Sequence, residues 1–385
     1  MAGASIVGKN TRRPRLDTEQ PGLLQRELIL PYRVNVPSGN DDADLPCLQF
    51  GMVGFDHSQR HQIEGIVNAL PLQAAVWRVG PMATADAWLI CGEKTRALPA
   101  PPQAAQASLR VLAGLPSERA VTLSLDQINR PLAFSLPVNS QDMEPRFTFD
   151  AASPRSLQAV LGKFERCLWS LRAKFTLGKQ LIDRETELKP AVYHVMNDGK
   201  LLAVMNFMSW KIGMLPDTDP QQFETAAWEK RPIEASAIPS NFFITNVTQL
   251  RWIYAQHSAR NVLPGRYRHE TIYLRQAPQV AISWLTDSHL LLVRELSKRP
   301  ATLTGLAERT GLPYEQLTRD LTCLYFAASL TTTPSKAVKA NARRTQKPLQ
   351  KRWGSPSHIF NSTLQDDDSV QQGEGTTVAA QLRAE

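Results

Sequence analysis

The fold class of this chain is decided by residues 47–70, CLQFGMVGFDHSQRHQIEGIVNAL. The first part, CLQFGMVGFD, is typical of a buried strand. The second part places Ile63, Ile66, Val67 and Leu70 on one helical face, which predicts an amphipathic helix after the strand. A strand followed by a helix is the opening of an α/β layer.

Further strand patterns follow this first pair of elements. They are AVWRVG (75–80), ADAWLICG (85–92), RAVTLS (119–124) and PLAFSLPV (131–138). A loop rich in Pro, Ala and Gln, residues 97–107, lies between the second and third of them. Since strands alternate with helical pieces, the sequence predicts an α/β domain over residues 46–150.

The order of these elements resembles that of a response-regulator receiver domain, between residues 47 and 138. In that family an acidic pair follows the first strand, a phosphate-accepting Asp ends the third, and a Lys before Pro ends the fifth. Of these residues only Asp56 is present here. Cys91 and Gly92 stand at the acceptor position, and Leu136 replaces the Lys before Pro137.

The other acid near the acceptor position, Asp86, lies at the wrong end of its strand. The resemblance therefore implies a receiver-like domain that cannot use aspartyl phosphorylation and acts as a docking or dimerising module. An unrelated α/β domain is the alternative.

A heptad pattern runs from Ser153 to about Leu188. Its apolar seam consists of Leu157, Leu161, Phe164, Leu168, Leu171, Phe175, Gly178 and Ile182. Pro154 fits a first helical turn and Pro190 ends the pattern, so we predict one long amphipathic helix within residues 151–190. The seam must pack either inside the same chain or against a second copy in a homodimer.

Two more units are predicted after this helix. Asp198 and Gly199 stand between apolar runs, which is a strong hairpin signal, so residues 191–286 are expected to form a β-rich α+β domain. Residues 287–333 contain three helical patterns that resemble a winged helix, a family of DNA-binding and protein-docking modules. Gly311 is expected to end the middle helix and Pro313 to open the last one.

The winged-helix resemblance places the last helix in a DNA major groove. Its outward side chains are expected to be Glu315, Gln316, Thr318, Arg319, Asp320 and Thr322. This set is nearly neutral, whereas phosphate neutralisation supplies most non-specific DNA affinity. Protein docking or a structural role is therefore the preferred interpretation, and DNA binding the alternative.

The two ends of the chain read as a flexible arm, residues 1–45, and a disordered tail, residues 334–385. The tail begins with a run of basic residues that has no acid among them. Together with Arg319, these residues are the DNA-binding candidates: Lys336, Lys339, Arg343, Arg344, Lys347, Lys351 and Arg352.

Residues 251–275 combine arginines with aromatic residues and include one acid, Glu270. The candidates for binding a ligand or partner are Arg251, Trp252, Arg260, Arg266, Tyr267, Arg268 and Arg275. Arginine forks grip phosphates and aromatic rings stack on bases, so a nucleotide, a cyclic dinucleotide or a single strand would suit them. The alternative is that the aromatic rings fill the core and the arginines face water.

The sequence contains no catalytic motif, and we expect neither an enzyme, a cofactor nor a metal site. His57, His61 and Glu64 have helical spacing, but they lack a fourth ligand and read as a solvated face. Scattered cysteines and the lack of a signal-peptide or membrane-spanning run predict a cytoplasmic protein without membrane insertion.

These patterns together predict a non-enzymatic regulatory or adaptor protein of bacterial signalling type that acts by protein docking. One alternative is a transcriptional regulator that binds DNA through the winged helix and the basic tail. A second alternative is a receptor for a nucleotide or a cyclic dinucleotide.

Overall fold

The computed structural model describes residues 44–71, 74–98, 108–124, 129–139 and 145–338. Separate hydrophobic cores divide these residues into three units. No helix in these ranges is long and apolar enough to cross a membrane. The predicted arm and tail lie outside them, apart from 44–45 and 334–338.

The first unit is built around a parallel sheet. Its elements are β1 (Cys47–Val53), α1 (His57–Ala69), β2 (Val76–Val79), β3 (Ala87–Ile90), β4 (Thr95–Leu98), β5 (Ser108–Val111), β6 (Val121–Ser124), β7 (Leu132–Ser135), β8 (Thr148–Phe149) and α2 (Pro154–Cys167). The five-stranded sheet has the order β2-β1-β3-β7-β8. Counted in chain order this is 2-1-3-4-5, a common doubly wound order. The predicted α/β layer is confirmed.

The two faces of this sheet are covered differently. Leu48, Phe50 and Met52 alternate along β1 and pack in the core under α1 and α2. Val53 and Ile90 belong to the opposite core, which an antiparallel sheet of β4, β5 and β6 covers. Within the described residues, helices therefore cover one face and strands the other. The sequence did not predict β4 and β5.

The second unit is an antiparallel sheet packed on helices. Its elements are α3 (Trp169–Asp183), β9 (Val192–Asn197), β10 (Lys200–Asn206), β11 (Lys211–Met214), α4 (Pro220–Glu224), β12 (Ala227–Arg231), β13 (Phe243–Asn246) and α5 (Val247–His257). The sheet has the order β12-β9-β10-β11-β13. Asp198 (φ 48°) and Gly199 (φ 77°) form the turn between β9 and β10, and the predicted hairpin is confirmed.

The single long helix predicted within residues 151–190 is wrong. The backbone dihedrals leave the helical range at Leu168 (φ −93°, ψ 17°), which separates α2 from α3 although Leu168 N still donates to the Phe164 carbonyl at 2.8 Å. Leu161 and Phe164 of α2 lie in the core of the first unit, whereas Leu177 of α3 lies in that of the second. The apolar seam therefore packs inside the chain: its first half, with Leu168 and Leu171, packs on the core of the first unit, whereas Phe175 and Gly178 in its second half lie against α5.

The third unit is a bundle with a short antiparallel ladder. Its elements are α6 (Gly265–His269), β14 (Tyr273–Leu274), α7 (Asp287–Lys298), α8 (Leu303–Thr310), α9 (Tyr314–Phe326) and β15 (Leu330–Thr331). The three predicted helices are confirmed, with Thr302 capping α8 and Gly311 ending it at φ 67°. The unit begins earlier than the expected Asp287, because Leu263 and Ile272 belong to its core.

Helix α5 connects all three units. It packs on α3 and on α9. At its far end the Tyr254 hydroxyl and the Ser258 hydroxyl donate to the carboxylate of Asp44, and His257 Nδ1 donates to the Cys47 carbonyl at 3.2 Å. The first unit is therefore fixed to α5 by hydrogen bonds at the amino end of its parallel sheet.

Candidate functional site

The carboxyl edge of the parallel sheet, where doubly wound folds bind ligands, is closed by the chain itself. A Cβ added at Gly92 would lie 2.1 Å from the Ser135 carbonyl oxygen, and one at Gly114 would lie 1.9 Å from that of Phe55. Asp56 accepts a hydrogen bond from Gln59 N at 2.8 Å and caps α1. This edge therefore has no room for an acidic side chain at position 92, and Asp56 has a structural role.

Half of the expected outward face of the last helix, α9, is buried, whereas Glu315 is exposed and Gln316 is half-buried. Thr318, Asp320 and Thr322 are buried. Helix α9 packs against α5 on one side and against α7 on the other. Arg319 is half-buried, so α9 offers little free surface to a DNA groove.

A basic cavity of about 430 Å³ lies between the second and third units. Its charged lining residues are Arg251, Arg266, Arg275 and Lys336. Aromatic rings of Trp210, Tyr267, Tyr325 and Phe326 also line it. No carboxylate is among the described lining residues, so four positive charges share one concave surface.

Different elements bring these cations together. Arg251 lies on α5, Arg266 on α6, and Arg275 directly after β14. The backbone N–H of Arg275 donates to the Ser329 carbonyl at 2.7 Å, which fixes its place beside β15. Lys336 ends a short 3₁₀ helix, Pro334–Lys336. Because β14 pairs with β15, Arg275 after β14 is brought near the segment after β15 that carries Lys336.

The four cations differ in whether a carboxylate or an aromatic ring already contacts them. Arg251 is 19% exposed, pairs with Glu185 at 3.0 Å, and lies over the Phe326 ring at 5.7 Å. Arg266 lies over the Tyr267 ring at 5.2 Å. In the described part of the chain, no carboxylate pairs with Arg266, Arg275 or Lys336, and all three are exposed. Three cations are thus free to meet an anionic ligand.

The structure gathers Arg251, Arg266, Tyr267 and Arg275 of the predicted ligand-binding set in this cavity. The rest of that set has structural roles. Trp252 is buried against Trp284, Arg260 pairs with Asp183 at 2.9 Å, and Arg268 donates to the Leu263 and Asn261 carbonyls.

Tyr267 is a buried residue of the cavity lining. Its ring is 2% exposed and its hydroxyl donates to the Leu330 carbonyl at 3.2 Å. Burial raises the pKa of this phenol. The hydroxyl is therefore neutral, and its hydrogen bond holds the ring against β15.

Sequence reasoning missed part of the cavity. The sequence places Lys336 in the basic DNA-binding run and Tyr325 in the helix core, and it gives no binding role to Trp210 or Phe326. All four are far along the chain from residues 251–275, and only the fold brings them together. The other tail candidates, Lys339, Arg343, Arg344, Lys347, Lys351 and Arg352, lie outside the described residues.

No group of three His, Cys, Asp or Glu side chains comes close enough to hold a metal ion in the described ranges. Comparisons with models of protein families, with curated proteins and with solved structures gave no match. The basic cavity is therefore the structural feature on which the proposed function rests.

Proposed function

We propose that this chain is a regulatory protein that binds a phosphate-bearing small molecule in the basic cavity and passes the signal on by protein docking. The proposal rests on one observation: three cations that pair with no carboxylate in the described residues, Arg266, Arg275 and Lys336, line one cavity together with Arg251. Like charges at close range destabilise the folded chain, so the arrangement makes most sense where an anion completes it. Arginine side chains suit phosphate because their planar forks donate two parallel hydrogen bonds.

The size and lining of the cavity support a small ligand. A volume of about 430 Å³ lies within the range of roughly 300–1,000 Å³ that is usual for small-molecule sites. Aromatic walls next to cations combine apolar contact with charge recognition. The predicted nucleotide receptor, an alternative from the sequence, therefore receives more support than DNA reading by α9, because half of the residues expected on the outer face of α9 are buried.

The docking part of the proposal has its support in the first unit. Its strand order, 2-1-3-4-5, is shared by receiver domains. The edge that would hold an acceptor aspartate is closed at Gly92, so the input must come from elsewhere in the chain. A ligand cavity next to α5 supplies such an input.

The test is calorimetric titration of the full-length chain with inorganic pyrophosphate, ADP, GDP and cyclic di-GMP at two salt concentrations. The double variant Arg266→Ala/Arg275→Ala should bind at least tenfold more weakly, because a hydrogen bond to a charged group contributes about 1.5–3 kcal/mol. The matched control is Arg294→Ala/Arg299→Ala, which removes two exposed arginines of the same unit outside the cavity.

The control variant should bind like the parent chain. Failure of all four compounds to bind would refute the proposal. An equal loss of affinity in both double variants would also refute it, because the effect would then come from overall charge and not from the cavity.

A further inference from the structure

The exposed tryptophan at the cavity, Trp210, has a backbone conformation that aromatic residues rarely adopt. It is 52% exposed and its φ is 59°, in the left-handed region. A bulky residue there is a conformational outlier and costs free energy that glycine or asparagine would avoid. The fold therefore holds an indole ring in place at this turn although the ring itself contributes little burial.

The turn that carries Trp210 is fixed by hydrogen bonds on both sides. The Asn206 side chain accepts from Met208 N at 3.0 Å and from Ser209 N at 3.1 Å. The Trp210 carbonyl accepts from Val247 N at 3.2 Å, which ties the turn to the start of α5. The indole is thus positioned by its backbone and not by packing of the ring.

The other aromatic rings of the cavity already have partners. Tyr325 packs on Tyr267 and on Phe326 with ring centroids 5.2 Å apart in both pairs. Phe326 also lies beneath the Arg251 guanidinium at 5.7 Å. Within the described residues, Trp210 has neither an aromatic nor a cationic partner. One flat, half-exposed aromatic ring is therefore available in the lining of the basic cavity.

We infer that the ligand is a nucleotide whose base stacks on Trp210 while its phosphates meet Arg266, Arg275 and Lys336. This inference rests on the proposed function and narrows its ligand class. A nucleotide carries both a base, which stacks on a flat aromatic ring, and phosphates, which bind a cluster of cations. Stacking tolerates any base, so Trp210 selects nucleotides over inorganic phosphates without choosing among bases.

The experiment compares pyrophosphate with ADP, GDP and cyclic di-GMP on the full-length chain and its variants. Trp210→Ala should weaken the nucleotide that binds best by about five- to a hundredfold and leave pyrophosphate affinity unchanged. Trp210→Phe keeps a ring and should recover most of the loss. Met208→Ala removes an exposed side chain from the same turn and is the matched control, with no change expected for either ligand.

The outcomes separate the two proposals. If none of the compounds binds, the basic cavity is not a phosphate site and both proposals fail. If pyrophosphate binds but nucleotides bind no tighter, or if Trp210→Ala weakens both equally, only the stacking inference fails. A loss in Met208→Ala as large as in Trp210→Ala would overturn it as well, because the turn and not the indole would then be responsible.

Discussion

A buried histidine–aspartate pair in the third unit predicts two variants whose stabilities respond to pH in opposite directions. His289 is 1% exposed and Asp320 is 7% exposed, with 3.6 Å between Nε2 and Oδ1. The backbone N–H of Thr286 donates to His289 Nδ1 at 3.2 Å, so the proton of the neutral ring is on Nε2 and faces Asp320.

Burial disfavours the charged form of both groups. It lowers the pKa of His289 to about 4, with Arg319 adding to the effect, and raises the pKa of Asp320 to about 6. The histidine therefore contributes stability that is present above its ordinary pKa of 6.5 and is lost as the pH falls through 4. The aspartate contributes stability that is present below 3.8 and is lost as the pH rises through 6.

Each effect amounts to about 3 kcal/mol, because one pKa unit corresponds to about 1.36 kcal/mol. In the parent chain the two effects oppose each other and cancel between about pH 4 and 6. Relative to the parent, Asp320→Asn lacks the contribution of the aspartate, so its free energy of unfolding should fall by about 3 kcal/mol as the pH falls from 6 to 4. His289→Gln lacks the contribution of the histidine and should lose a similar amount, relative to the parent, as the pH rises from 4 to 6.5.

The assay is urea unfolding of the full-length chain followed by circular dichroism, at half-unit pH steps from 4 to 7. Subtracting the parent curve removes the contributions of all other titrating groups. The readout is the slope of this difference, so an overall loss of stability in either variant does not disturb it. Two difference curves that run flat or slope in the same direction would refute the reasoning.

Two further predictions concern the contacts around α5. Gly178→Ala would place a Cβ 2.5 Å from the Leu250 carbonyl, so α3 and α5 must separate; we expect a loss of about 1–3 kcal/mol in urea unfolding. Gly162→Ala has open space and should instead gain up to about 1 kcal/mol, and a loss equal to that of Gly178→Ala would contradict the close-contact argument. Glu185→Gln frees Arg251 for the ligand and should raise phosphate affinity about two- to fivefold by calorimetry; unchanged or weaker binding would count against competition at Arg251.

Local chemistry explains which elements were predictable from the sequence. The Asp198–Gly199 turn was found because both residues tolerate positive φ, and the end of α8 was found because Gly311 does. The alternation along β1 was readable because apolar side chains recur at every second position on a buried face. Each of these signals lies within a few residues of the structure that it specifies.

The break at Leu168 could not be predicted in the same way. A heptad pattern states that a helix has an apolar face, but it does not state which core that face meets. Here the seam packs on the first unit up to Leu171, and Phe175 then packs on Tyr254 of α5, while a different stripe of α3, Ala173, Leu177 and Leu181, enters the core of the second unit. The interruption between them follows from the relative placement of two cores, which is long-range information.

The basic cavity was predictable only in part for a related reason. The segment 251–275 stands out in the sequence because it combines arginines with aromatic residues. Three of its arginines and Tyr267 do line the cavity. Trp210 and Lys336 come from a hairpin turn and from the start of the tail, and no local pattern connects them to it. The burial of Thr318 and Asp320 was missed because a helix that packs on both sides does not have the outer face that an amphipathic reading assumes.

The position of α5 makes the cavity suited to sensing. The end of α3 is tied to the α5 region by two ion pairs, Glu185 with Arg251 at the cavity and Asp183 with Arg260 beside the first unit. An anion that draws Arg251 away from Glu185 would loosen the first of these ties while the second remains. An exposed ion pair contributes at most about 1 kcal/mol, which corresponds to a change of about fivefold in a conformational equilibrium. Stronger coupling than that has to come from the ligand's contacts with both the Trp210 turn and the third unit, since both line the cavity and a ligand that contacts both joins the two units directly.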